Sequence, residues 1–304
     1  MGSRGALRAL TRAALLAMVM PVMLMMAPLP ATSLPPSAAQ ADQATNQDRV
    51  LALLQALALD EVIAIMREEG LAYGKELGAD MLSGGGGATW DMAVDRIYDV
   101  DRMRRMVRDR FVARFGQTDP DPLIAFFQTE TGRQIIALEV AARRAFMDDT
   151  VEEAARDAFR AIEPDLSADS PRGLSPHLSA IEAYINANDL IGFNVMGAMN
   201  ANRLFYRGLV DGGALEMSEA DIMADMRNQL PETEYETREW IYAFLMLAYA
   251  PLDAAQINAY ADLSLTPQGR AMNSALFDAF DVMYGEVSRA LGLAIAGHML
   301  SEDL

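Results

Sequence analysis

Two histidines and no cysteine limit the chemistry this chain can carry. Without thiols there is no disulfide framework, no thiolate nucleophile and no sulfur-based zinc cluster, and two histidines cannot build a multi-histidine metal site. His298 stands four residues before Glu302, a spacing that puts two ligand types on one helix face. Two ligands do not complete a metal centre, and no metal or cofactor is expected. His177 falls in the first turn of an expected helix with no nucleophile nearby in sequence, so a surface or capping role is expected. Methionines recur three apart as Met103/Met106, Met196/Met199 and Met223/Met226. Thioethers at that spacing suit Cu(I), but helical cores and grooves use the same spacing for packing. The acid pairs Asp99/Asp101, Asp148/Asp149 and Glu152/Glu153 lack a calcium-loop pattern and point apart on a helix, which predicts solvated faces rather than acid–base catalysis. Gly84 to Gly87 lacks the Lys and Ser/Thr of a phosphate loop and is read as a connector. No catalytic residue is assigned.

The most distinctive signal occurs twice. Phe126 to Arg133 reads FFQTETGR and Leu263 to Arg270 reads LSLTPQGR, 137 positions apart. Each places a threonine before a helix start, a glycine in the first helical turn and an arginine directly after it. The glycine costs roughly 1 kcal/mol of helix propensity relative to alanine. Paying that twice implies that another helix passes too close for a side chain. Thr129, Gly132, Arg133, Thr266, Gly269 and Arg270 are therefore the candidate motif or binding residues. The arginines sit where a helix start favours anions, either a neighbouring acid or a ligand carboxylate.

Helical periodicity positions these residues and predicts an all-α chain. Helices are expected at 48–80 with a break near Asp60, and at 90–115, 121–128, 130–162, 176–210, 219–229, 232–249, 252–264 and 267–299. Residues 163–175, rich in proline and serine, form the expected linker. It divides the chain into two related multi-helix units, 48–162 and 176–304, packed as one helical bundle or a bundle pair. The apolar stretch 241–252 is too short to span a bilayer and is read as a buried core helix.

The pattern of a short apolar helix, Thr-x-x-Gly-Arg and a long amphipathic helix resembles the exported bacterial family called domain of unknown function 2059. The second half carries it at about 239–289 through Tyr249, Leu252, Tyr260, Leu263, Thr266, Gly269 and Arg270. The first half carries it at about 122–146 without a proline after its threonine. The resemblance implies an exported helical domain and no known reaction.

Residues 1–41 read as a cleaved signal peptide: Arg4, Arg8 and Arg12 precede an uncharged apolar run from Ala13 to Leu29, and Ala39-Gln40-Ala41 offers small residues before Asp42. A polar leader, 42–47, follows. The expected location is the periplasm, with an uncleaved inner-membrane anchor as the alternative. The formal charge of −18, with 43 acids against 25 bases, disfavours nucleic-acid and anionic-lipid binding. The reading that follows is a non-catalytic periplasmic protein binding a partner protein or peptide in an apolar groove between helices. A cysteine-free hydrolase or transferase using Asp, Glu, Ser and Tyr, and an envelope-associated helical assembly, are the alternatives.

Overall fold

A computed structural model describes residues 38–166 and 173–302. The segment expected to be a signal peptide, apart from residues 38–41, and residues 167–172 of the expected linker lie outside the described residues. The described chain is helical throughout and has no strand. In order, the helices are α1 (Ala38–Ala56), α2 (Leu59–Met81), α3 (Gly87–Ile97), α4 (Val100–Phe115), α5 (Asp121–Phe127) and α6 (Glu130–Ala145). There follow α7 (Asp149–Ile162), α8 (Pro176–Ala187), α9 (Leu190–Asp211), α10 (Glu219–Ala248), α11 (Ala254–Leu265) and α12 (Pro267–Glu302). Residues 42–47, read as a leader, lie within α1.

Local chemistry explains most boundaries. Asp99 accepts from Arg102 N and Asp148 from Thr150 N, so each aspartate starts a helix where a longer one was expected. Asp189 turns into the left-handed region at φ 47°, splitting the expected 176–210 helix into α8 and α9. The opposite error occurs at Pro231. Its ring removes one backbone donor, yet α10 runs through it. Thr233, Thr237, Trp240 and Phe244 are buried beyond the proline, and packing holds the helix together there.

Glycines set the closest helix approaches. Gly70, Gly74 and Gly78, four apart on α2, receive Tyr98, Val94 and Trp90 in that order, a ladder that folds α2 and α3 into a hairpin. Trp90 Nε1 donates to Gly74 O at 2.7 Å. On α9 and α12, Gly208 faces Gly292 with nothing but backbone between them.

One apolar core runs through both halves, from Val50 on α1 to Ala296 on α12. Phe146 of the first half meets the stacked rings of Trp240 and Phe244 from the second. The 241–252 stretch is core as expected, with Ile241, Tyr242, Phe244, Leu245, Tyr249 and Leu252 all buried. No helix among the described residues is long and apolar enough to cross a membrane.

Candidate functional site

The twice-repeated motif is a structural clamp with the same geometry in both copies. Thr129 Oγ1 accepts from Gly132 N at 3.0 Å, and its hydroxyl donates to Phe126 O at 2.7 Å. Thr266 Oγ1 accepts from Gly269 N at 3.0 Å and donates to Leu263 O at 2.6 Å. One hydroxyl thereby caps the new helix and satisfies a carbonyl at the end of the old one. The missing side chains at Gly132 and Gly269 admit the backbone of the preceding short helix, α5 or α11. The close neighbour is thus the helix immediately before, folded back at the corner.

The arginines complete the clamp. Arg133 Nη1 donates to Gln128 O, and Arg270 Nε donates to Leu265 O at 3.0 Å, in each case the carbonyl five residues back. A cation on the last carbonyls of a helix is also favoured by the helix dipole. Both guanidinium groups are exposed, and the bonds of each motif stay within its own corner; the two corners are neighbours, with the Phe126 ring stacked on Tyr260 at 5.8 Å.

The other chemistry-bearing residues are similarly committed to structure. Asp99 and Asp148 are caps, Asp101 pairs with Arg104 at 3.2 Å, Glu152 with Arg156 at 2.8 Å and Glu153 with Arg160 at 3.0 Å. His177 Nε2 lies 3.0 Å from Tyr249 O, against the end of α10. His298 Nδ1 bonds Ala294 O at 2.9 Å, and its ring meets Trp90 edge-on. Among the described residues, no three histidine or acidic side chains gather as a metal site would require.

Sequence reasoning missed two features. The first is a set of buried polar residues on the apolar faces of helices. Arg143, 1% exposed, holds Glu69 through two bonds of 3.0 and 2.7 Å, and Arg156 Nη1 holds Glu239 at 2.6 Å across the two halves. Glu139 accepts from Tyr249 OH at 2.5 Å inside the core. Charges among Ile135, Ile136, Val140 and Ala142 were the available signal: an amphipathic helix carrying ions on its apolar side must pair them.

The second is a groove of about 730 Å³ between α9 and α10. It is lined by Ile191, Gly192, Val195, Met196 and Met199 on one side and Leu230, Pro231, Glu234, Tyr235 and Arg238 on the other. Met196 is 60% exposed and Tyr235 46%, high values for large apolar side chains. Gly192 makes room for the Asp189 carboxylate at the start of α9, and Pro231 leaves a backbone carbonyl of α10 without its usual donor. Arg238 lies over the Tyr242 ring at 5.1 Å, which fixes a cation at the groove's end. Of the three methionine pairs, Met196/Met199 lines this groove, while Met103 and Met226 are buried in the core.

No curated protein and no solved structure matches the chain. A family match falls on the first half and includes the 122–146 clamp, whereas the sequence reading placed the better fit at 239–289; the clamp alone is a local corner geometry, and the matched stretch adds the buried ions that follow it. Residues 101–161, from the first turn of α4 to the last of α7, match the family described as an uncharacterized protein conserved in bacteria, DUF2059, as the motif suggested.

Proposed function

We propose that this is a non-catalytic periplasmic protein that binds an apolar peptide segment of a partner protein, most simply one face of an amphipathic helix, in the groove between α9 and α10. The groove carries the reading. Exposed Met196 and Tyr235 flank the half-buried Met199 and Leu230, and flexible thioethers fit varied apolar side chains. The volume lies within the range of ordinary ligand and peptide clefts. Arg238 and Glu234 supply one charge of each sign for orientation. The apolar run at 13–29 supports export. The matching geometry of the two Thr-x-x-Gly-Arg clamps supports an internal duplication of the 48–162 and 176–304 units.

The experiment is recovery of a defined partner from the cell envelope by the parent and by a Met196→Asp/Met199→Asp variant. Met196 is 60% exposed, while Met199 also packs on the edge of the core, so only a variant with the parent's helical circular dichroism counts in the comparison. The expected result is loss of the partner that the parent retains. Equal recovery by a folded variant overturns the groove reading. Edman sequencing of the mature protein should begin at or near Asp42, and full-length chain recovered from membranes overturns the periplasmic assignment.

A further inference from the structure

We infer that Glu139 and Tyr249 form a pH-sensitive latch between the two helical units, closed while the Glu139 carboxyl carries its proton and weakened once it is lost. Glu139 lies on α6 in the first unit and is 1% exposed. Tyr249 follows α10 in the second and is fully buried. They are 110 positions apart and share a hydrogen bond of 2.5 Å. The groups facing the carboxyl are phenols from three elements. Tyr249 comes from the end of α10, Tyr184 from α8 and Tyr260 from α11. Tyr184 stacks on Tyr260 at 4.6 Å and meets Tyr249 edge-on at 5.8 Å, closing an aromatic wall around the acid. His177 of α8 touches the Tyr249 backbone carbonyl, not the carboxyl. The cation one turn along α6, Arg143, is held by Glu69 of α2.

A carboxylate so placed would have one phenol donor in an apolar surround, which is too little to offset its lost hydration. Burial accordingly raises Glu139 well above the ordinary carboxyl value of 4.5, and the Tyr249 hydroxyl only partly reverses this. The direction of the linkage follows. In the unfolded chain Glu139 loses its proton near 4.5, while the folded protein keeps it. Between 4.5 and the raised folded value the unfolded state binds fewer protons, so stability falls as pH rises. The latch is therefore strongest in acid, opposite to the behaviour of a salt-bridged carboxylate.

Thermal and denaturant unfolding of the full chain from pH 5 to 9 tests this. Between pH 4.5 and the pH at which the folded carboxyl gives up its proton, the parent should lose up to about tenfold in its folding constant per pH unit beyond what Glu139→Gln loses. The glutamine keeps the shape and an acceptor for Tyr249 but has no proton to lose. Parallel profiles for parent and variant overturn the latch. Carbon-13 NMR of the Glu139 carboxyl in the parent gives a reading that does not depend on the variant folding. The carboxyl is expected to keep its acid shift well above pH 4.5, and a titration at the ordinary carboxyl value overturns the proposal.

Discussion

Replacing Gly269 by alanine should destabilise the protein, although the same substitution helps most helices. A Cβ built at Gly269 lies 2.8 Å from Ser264 Cα and 2.9 Å from the Leu263 carbonyl carbon, and closer still to that carbonyl's oxygen. Ordinary carbon contacts are about 3.5–4.0 Å, so α11 must retreat by about 0.7 Å or more. The retreat strains the two Thr266 hydrogen bonds and the Arg270 bond to Leu265 O. Overpacking costs about 1–3 kcal/mol, and losing one of these bonds about 1 kcal/mol. Alanine returns roughly 1 kcal/mol of helix propensity. The net loss is about 1–3 kcal/mol, or roughly 2–6 °C in melting temperature at about 2 °C per kcal/mol for a chain this size. Gly297 on the same helix is the control, since it is exposed and a Cβ there meets nothing within 4 Å. Gly297→Ala should hold or raise the melting temperature. Circular dichroism melts of both variants decide the matter: if Gly269→Ala melts at or above the parent, the clamp account is wrong.

Arg156→Ala strands Glu239 in the interface between the halves with only Arg160 left, and should cost about 3 kcal/mol in denaturant titration. Arg104→Ala, which removes exposed pairs to Asp60 and Asp101, should cost about 0–1 kcal/mol; equal losses for the two would refute the ranking by burial. Arg133→Gln/Arg270→Gln should retain partner recovery with a small drop in stability, because both arginines cap carbonyls; loss of the partner by a folded double variant would make them a binding surface. Asp221 and Glu219 at the start of α10 are held below their ordinary values, Asp221 by Ser218 bonds and Glu219 by Arg207. Their contribution is complete above the ordinary carboxyl range and fades as pH falls through the lowered values, so hydrogen-exchange protection at the start of α10, after correction for the intrinsic pH dependence of exchange, should fall in acid.

The helices were legible because their signals are local. Apolar spacing located most of them, and Ser175-Pro176 and Thr266-Pro267 marked two starts correctly. The clamp was legible for the same reason, since threonine, glycine and arginine act within eight residues. The helix breaks at Asp99, Asp148 and Asp189 were missed because an aspartate among acidic neighbours looks the same whether it caps or is solvated. The α2 ladder of Gly70, Gly74 and Gly78 has a readable period, but its meaning depends on Trp90, Val94 and Tyr98 arriving in register. The groove was least legible: Met196 and Met199 differ from core methionines only through Leu230 to Arg238 of α10, more than 30 residues away along the chain.

The central claim, that the α9–α10 groove holds a partner segment, is tested most directly by site-specific photocrosslinking in living cells. A benzophenone amino acid at Met196 is compared with one at Met92, which is nearly as exposed but lies on α3 outside the groove. The account predicts a discrete adduct from position 196, mapping to an apolar segment of one protein, and none from position 92. Identical adducts from both positions, or none from 196, would contradict it.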